Sequence, residues 1–366
     1  MTLFNFSKLG RKSKSADRLR KYGFSPAVLN AFDDLIARAR DHELYRANPR
    51  YWAEQLGLSE RETLSVIVAA TVEGLLDLNW QVACPICKYH GRAASSLGGV
   101  SQLHGCENCD HDFEAYLDEE VFVTVTVKDD LRRLAPNRRD DTTFRALVDA
   151  RHGLIPALAM INTPAFNDLL GHQIFPEGQS LGVKQLAIFF SDLRGSTALY
   201  HKYGDVEAYR WVCEHFKILF DAAAKHNGTA VKTIGDGVLG VFANPLDALQ
   251  AIVEATAGLN ALNARAGFRD GDRLALKAGL HSGACIVVTL NHRLDYFGET
   301  VNIAARLGAL AQGDDVVLSH AVLDDPATSA SAENFGQLLP LAAKLRGLPE
   351  IFELHRLVLT HSRETS

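Results

Sequence analysis

The sequence predicts an α+β protein with two domains, and three observations support that prediction. After residue 183, apolar segments and capped helices alternate in the order β-α-β-β-α-β, which is typical of a ferredoxin-like sheet with helices on one face. Before residue 80, apolar residues recur at helical spacing. Between these regions lie two Cys-x-x-Cys pairs, in a segment that resembles a zinc ribbon.

Length and composition agree with two domains. The 366 residues exceed one ordinary compact core, and 47% hydrophobic with 22% charged residues is typical of a globular protein. A net charge of -6 argues against nucleic acid as a partner of the whole chain. No apolar run reaches the roughly 18 residues of a membrane span, and no secretory signal is recognisable, so we expect a cytoplasmic location.

Residues 1–22 are predicted to be a basic, flexible tail. Against Asp17 alone they contain the cations Lys8, Arg11, Lys12, Lys14, Arg18, Arg20 and Lys21. Leu3, Phe4 and Phe6 leave open a weak peripheral contact with an anionic membrane surface.

Residues 23–150 are predicted to form a helical domain with the zinc-ribbon-like segment. Ser25-Pro26 begins a helix expected over 25–46, and a capping box at Ser59 begins another that runs to about residue 78. The alternating stretch VFVTVTV at 121–127 predicts a strand. Weak periodicity and scattered prolines place a linker at 151–182.

Residues 183–357 are predicted to form the ferredoxin-like domain. LAIFFSDL is a buried strand, 197–225 a long helix, TAVKTIGDGVLGVF a hairpin, and 246–263 a second helix. LALKAGLHSGACIVVTL and DVVLSH are strand material on either side of a short helix at 300–311. Residues 358–366 are expected to be a second flexible tail.

Two carboxylates in this domain suggest metal chemistry. Asp192 ends an apolar strand, and Asp236 lies in the tight turn Gly235-Asp236-Gly237. Two carboxylates that come together repel each other unless a divalent cation lies between them, and Mg²⁺ accepts such oxygen ligands. Taken singly, Asp192 could equally cap the following helix and Asp236 could be an ordinary turn residue.

Three stretches in one order resolve this choice: FFSDLRGST, KTIGDG and DYFGETVNIAARL. Together they resemble the class III adenylate and guanylate cyclases over residues 183–357. The resemblance implies that Asp192, Asp236 and the carbonyl of Leu193 bind two Mg²⁺ or Mn²⁺ ions. It also implies roles for purine-reading Lys232 and Asp295, for ribose- and transition-state-binding Asn302 and Arg306, and for Arg346 at the triphosphate.

The implied reaction is attack of the ribose 3′-hydroxyl of ATP on the α-phosphorus, which yields cyclic AMP and pyrophosphate. Asp295 can accept from the amino group of adenine while Lys232 donates to a ring nitrogen, and guanine reverses these groups, so the pair favours ATP. His281 is an alternative general base, although a structural role for this strand histidine is the favoured interpretation. Guanylate cyclase activity and a non-catalytic nucleotide sensor remain alternatives.

The resemblance also implies a head-to-tail homodimer. In the family the metal ligands of each site come from one protomer, and the purine- and transition-state-binding residues come from the other. Residues 285–291, which replace glycines common in the family, are expected to alter a loop at this interface.

The cysteines Cys84, Cys87, Cys106 and Cys109 have the spacing CxxC–x18–CxxC. Four thiolates close a tetrahedral shell, as in structural Zn²⁺ sites, so zinc is the expected metal. A zinc ribbon can bind nucleic acid, but the acidic residues at 107–120 argue against a phosphate-binding face. The segment resembles an N-terminal region of unknown function found ahead of some bacterial cyclases, and a regulatory protein or ligand is its expected partner.

Overall fold

The chain divides into two units. The first contains the residues up to 161 and residues 165–179, and the second contains residues 162–164 and those from 180 onward. The computed structural model describes residues 14–171, 174–269 and 272–360. No helix within these ranges is both long enough and apolar enough to cross a membrane. The possible membrane contact through Leu3, Phe4 and Phe6 lies outside the described residues.

The first unit begins with four helices: α1 Lys14–Leu19, α2 Pro26–Arg38, α3 Pro49–Leu56 and α4 Glu60–Val72. Ser25 caps α2, and Ser59 forms the predicted capping box with Glu62 at the start of α4. The helices precede β1 Leu76–Val82, the short hairpin of β2 Leu103–Gly105 and β3 Asp112–Glu114, and β4 Val121–Val127. β1 and β4 are antiparallel, and β5 Ile155–Pro156 extends their sheet.

Two predicted segments in this region have the wrong boundaries. The tail predicted at 1–22 is helical from Lys14 onward, and Leu19 is fully buried because α1 packs against α2. After the short helix α5 Pro136–Arg139, the linker predicted at 151–182 instead contains the end of α6 Thr142–His152, then β5, α7 Ala157–Ile161 and α8 Pro164–Leu169. The apolar side chains of α7 are buried, which explains why this stretch is folded.

The second unit is built on a mixed sheet. Its ferredoxin-like part consists of β6 Ser180–Arg194, α9 Ser196–Lys225, β7 Thr229–Ile234, β8 Gly237–Phe242, α10 Pro245–Ala266 and β9 Ala275–Leu290. The strands lie in the order β9-β6-β8-β7, all antiparallel neighbours, as the predicted β-α-β-β-α-β order requires. α9 contains a non-helical residue at Gly204, where the helix kinks.

The remaining elements extend this sheet. They are β10 Arg293–Phe297, α11 Glu299–Leu310, β11 Asp315–Ser319, α12 His320–Leu323, α13 Pro326–Phe335, β12 Gly336–Lys344 and β13 Ile351–Leu359. β10 pairs with the far end of β9, and β11, β13 and β12 follow β9 on its other side. β13 therefore occupies the first two residues of the tail predicted at 358–366, and residues 361–366 lie outside the described part.

The sheet is covered on both faces. α9 and α10 pack with Ala278 and Leu280 of β9 in one apolar core, as predicted. Gly279 lies between them in sequence and faces the other way, against the backbone of α11. The prediction of helices on one face thus holds for α9 and α10, while α11 covers the opposite face with its own core of Ile303, Leu307 and their neighbours.

Candidate functional site

The two candidate metal-binding aspartates lie at one end of the sheet's strands. Asp192 is near the end of β6, and Asp236 is in the turn between β7 and β8. The turn lies against β6 because Ser191 Oγ accepts a hydrogen bond from the Val238 backbone N–H at 3.1 Å. A Cβ on Gly237 would come within 2.2 Å of the Ser191 carbonyl oxygen, so only glycine permits this approach.

Lys277 is paired with Asp192. The two residues lie opposite each other in the β6–β9 register, and Lys277 Nζ is 2.7 Å from Asp192 Oδ2. Burial raises the pKa of Asp192, but the hydrogen bond and charge of Lys277, the Leu193 N–H and a hydrogen bond with Asp236 outweigh burial and lower that pKa. Asp192 is therefore an ionised carboxylate at neutral pH, as a metal ligand must be.

His215 of α9 supports the same turn. Its Nε2 lies 3.2 Å from the carbonyl oxygen of Asp236, to which it donates. Burial lowers the pKa of His215 to about 4, so the ring is neutral at pH 7. The resemblance did not identify Lys277 or His215. A charged residue inside the apolar strand LALKAGL was the only sequence signal for Lys277.

The predicted purine-reading pair is assembled. Lys232 of β7 and Asp295 of β10 form an ion pair with an Nζ–Oδ2 distance of 2.5 Å. The Asp295 side chain is 8% exposed and that of Lys232 is 38% exposed, so the lysine borders solvent while the carboxylate is buried. Asp295 also accepts from the Tyr296 backbone N–H at 2.9 Å, which fixes its orientation.

The ribose and phosphate candidates lie on and beside α11. Asn302 and Arg306 are one turn apart on this helix, so they share a face. Arg346 is exposed in the loop between β12 and β13. A Cβ on Gly347, the next residue, would lie 3.5 Å from an Nη atom of Arg306. The loop of Arg346 is therefore adjacent to Arg306.

The structure thus brings the predicted residues together in three groups. One contains Asp192, Leu193 and Asp236, the second contains Lys232 and Asp295, and the third contains Asn302, Arg306 and the loop of Arg346. His281, the alternative general base, is hydrogen-bonded to Ser319 Oγ at 2.7 Å, and burial lowers its pKa to about 4. These contacts favour the structural role for His281.

The four cysteines of the first unit converge. Their sulfur atoms all lie within 4.8 Å of one another, in an arrangement that could hold a metal ion. Cys84 lies 3.7 Å from Cys109, and Cys87 lies 3.5 Å from Cys106. In the described part of the chain, no other cluster of three or more such ligands is present.

Both cysteine pairs adopt the same loop geometry. The N–H of the first cysteine donates to the carbonyl five residues on, and its own carbonyl accepts from the N–H four residues on. Lys88 and Asp110, which follow the pairs, both have left-handed φ angles of 58° and 53°. Hydrogen bonds from Asn108 and from the Tyr89 backbone lower the pKa of Cys87 to about 6, whereas burial raises the pKa of Cys109 to about 12. A bound cation would therefore be needed to hold both sulfurs as thiolates.

Comparison with known protein families agrees with the division of the chain into two units. Residues 12–148 match a family of unknown function, and residues 179–334 match the adenylate and guanylate cyclase catalytic domain. The resemblance to the class III cyclases is confirmed. We refer to the second unit as the cyclase unit from here on.

Individual relatives are distant. A receptor-type adenylate cyclase of Trypanosoma brucei brucei is 27% identical over 213 residues, which cover 48% of this chain and 17% of that protein. A receptor-type guanylate cyclase of Caenorhabditis briggsae is 30% identical over 167 residues, 42% of this chain and 14% of that protein. A solved adenylyl cyclase from P. aeruginosa is 22% identical over 50% of this chain and 98% of its own, with a TM-score of 0.41.

Proposed function

We propose that the protein is an adenylate cyclase that converts ATP to 3′,5′-cyclic AMP and pyrophosphate. The observation that best supports this proposal is the Lys232–Asp295 ion pair, which presents one donor and one buried acceptor side by side. Adenine offers the complementary acceptor and donor at N1 and its 6-amino group. Guanine would leave both protein groups unmatched, and unmatched buried polar groups discriminate strongly.

The metal-binding part of the proposal rests on the convergent carboxylates. Asp192 and Asp236, with the Leu193 carbonyl, would hold two Mg²⁺ or Mn²⁺ ions. Their oxygen donors and the lowered pKa of Asp192 suit such cations. Bound there, the metals would lower the pKa of the 3′-hydroxyl and offset triphosphate charge.

The chain's own groups would then orient the reaction. Lys232 and Asp295 hold the base, Asn302 holds the ribose, and Arg346 contacts the triphosphate. Arg306 directs its guanidinium at the charge that develops on the α-phosphate. The 3′-oxygen bonds to the α-phosphorus, the bond to the β-phosphate oxygen breaks, and the hydroxyl proton leaves to solvent.

The three groups of residues are proposed to meet in a homodimer. Metal ligands from one protomer would face the purine- and transition-state-binding groups of its partner, which gives two composite sites. One chain contains all of these residues, as a homodimer requires, since each protomer must contribute both halves.

Guanylate cyclase activity is the second candidate, because a guanylate cyclase is among the relatives. A product assay with equal ATP and GTP separates the two candidates, and we expect cyclic AMP to predominate. Guanylate cyclases of the resembling family carry glutamate and a cysteine-like residue at the purine-reading positions. The double variant Lys232→Glu, Asp295→Cys should therefore shift the product ratio toward cyclic GMP.

Asp192→Ala tests catalysis itself and should abolish production of either cyclic nucleotide. Asp221→Ala, which removes an exposed carboxylate of α9, is the matched control and should retain activity. If the wild type binds ATP but forms no product with Mg²⁺ or Mn²⁺, the non-catalytic nucleotide sensor becomes the better description.

The four cysteines of the first unit are proposed to hold a structural Zn²⁺. Four sulfur donors that converge within 4.8 Å suit a closed tetrahedral site. Such a closed site has no open position for substrate, so we assign this unit a regulatory role toward a protein or ligand partner.

A further inference from the structure

The strands that carry Lys232 and Asp295 are tied together by a residue outside the cyclase motifs. Asn162 belongs to residues 162–164, a short segment that forms part of the cyclase unit although it precedes β6 by many residues. Asn162 is 4% exposed and Thr163 is 1% exposed. The segment is therefore embedded in the protein.

Asn162 makes one hydrogen bond to each of the two strands. Its Oδ1 accepts from the Tyr296 hydroxyl of β10 at 2.6 Å, and its backbone carbonyl accepts from the Thr229 hydroxyl of β7. Tyr296 directly follows Asp295, and Thr229 begins the strand on which Lys232 lies three residues further on. Both partner side chains are buried, at 1% and 2% exposed, so water cannot substitute for Asn162.

The environment of the Asn162 side-chain amide nitrogen indicates that this residue has a role beyond packing. Its Nδ2 is buried and has no hydrogen-bond partner among the described residues. A buried donor left unpaired is unfavourable, and a residue selected for stability alone would avoid it. The feature that this position uses is therefore the acceptor oxygen directed at Tyr296.

We propose that Asn162 is a positioning residue for the Lys232–Asp295 pair. By linking β7 to β10, it sets the separation of the two strands and so the spacing at which the lysine and the carboxylate meet a purine. This inference rests on the proposed function, because the pair is assigned there to base recognition. Hydrogen bonds weaken steeply with distance and angle, so a small change of strand separation affects recognition directly.

The test compares wild type, Asn162→Ala, Tyr296→Phe and the double variant. We expect the KM for ATP to rise about fivefold in each single variant, the usual effect of one lost buried hydrogen bond, with a smaller change in kcat. The preference for ATP over GTP should fall. The double variant should resemble the single variants, because all three lack the same hydrogen bond. Asn162→Asp keeps an acceptor toward Tyr296 and should retain most of the ATP preference.

Asn263→Ala is the control for a general loss of stability. Asn263 is a buried asparagine of the same unit, and its side chain bonds the Leu274 backbone at 2.7 and 3.0 Å. This variant should melt at a lower temperature with an unchanged KM. If Asn162→Ala and Tyr296→Phe also lower only the melting temperature, the positioning role is refuted.

Two further outcomes are informative. Should Asn162→Ala fail to fold, Tyr296→Phe decides the question alone, since it removes only the hydroxyl. Should the wild type make no cyclic nucleotide, the proposed function fails separately. The dissociation constant for ATP, measured by calorimetry, then replaces KM, and unchanged values in both variants overturn the inference.

Discussion

Helix α11 packs closely against Gly279 of β9. Adding one methyl group at Gly279 tests whether this close packing positions the candidate site. In Gly279→Ala the new Cβ would lie 2.0 Å from the Gly308 nitrogen and 2.7 Å from the Ala304 carbonyl oxygen. Ordinary contacts begin near 3.4 Å, so the helix backbone would have to retreat by about 1.4 Å. Backbone cannot rotate away as a flexible side chain can, so the whole helix must move.

The displacement would reach the proposed catalytic groups, because α11 carries Asn302 and Arg306. A misplacement of about 1 Å costs on the order of 100-fold in rate when a group must be aligned with its substrate. Overpacking of this kind also costs about 1–3 kcal/mol of stability. We therefore expect kcat for cyclic AMP to fall by about 100-fold and the melting temperature to drop.

The assay is kcat at saturating ATP together with a thermal melt, over a graded series. A Cβ on Gly308 would be 3.1 Å from the Phe190 carbonyl oxygen, and one on Gly91 in the first unit would be 3.8 Å from its nearest neighbour. The loss should decrease in the order Gly279→Ala, Gly308→Ala, Gly91→Ala. Wild-type kcat and melting temperature in Gly279→Ala would refute the close-approach argument.

Two more predictions follow from single sites. Cys84→Ser should abolish stoichiometric zinc binding, measured by metal analysis, and destabilise the first unit; undiminished zinc content would contradict the four-thiolate site. Burial lowers the pKa of His281 from its ordinary 6.5 to about 4 in the folded protein. As the pH falls from 6.5 toward 4, His281 is therefore protonated in the unfolded chain before it is protonated in the folded protein, and the free energy of unfolding decreases. Between pH 7 and pH 5, His281 should lower the free energy of unfolding, measured by urea denaturation, by about 2 kcal/mol. This loss should be absent in His281→Gln.

Helix caps in the sequence predicted where some helices begin. Strand pairing between distant residues determined boundaries that no local pattern indicated. Ser25 and Ser59 marked α2 and α4, but α4 ends at Val72, and the last residues of the predicted helix, 76–78, belong to β1 and pair with β4. α3 has an Asn48 cap and a C-terminal Gly57, yet its eight residues are too few for a clear periodicity. β10 was missed because its turn, Asn291-His292, has two left-handed residues without glycine. The expected altered loop at 285–291 is instead the continuation of β9 into this hairpin.

In the candidate site, too, some residues were identified from the sequence and others only from the structure. The resemblance to the class III cyclases paired Asp192 with Asp236 and Lys232 with Asp295, and the structure brings each pair together. Lys277 became visible only when the register placed it opposite Asp192. Asn162 lies in a stretch predicted to be a linker, so no sequence pattern connected it to the proposed purine-reading pair.

Two of the three candidate carboxylates are each paired with a lysine: Asp192 with Lys277 at 2.7 Å and Asp295 with Lys232 at 2.5 Å. A partly buried carboxylate needs such a partner, because desolvation otherwise favours its neutral form. Any cation at Asp192, or any purine at Asp295, must therefore compete with or share an existing ion pair. Binding at both places is an exchange of partners, so its affinity depends on how far each lysine can move. Lys277 is 20% exposed and opposite Asp192 in the sheet, whereas Lys232 is 38% exposed and close to a turn, so the purine pair should open more readily.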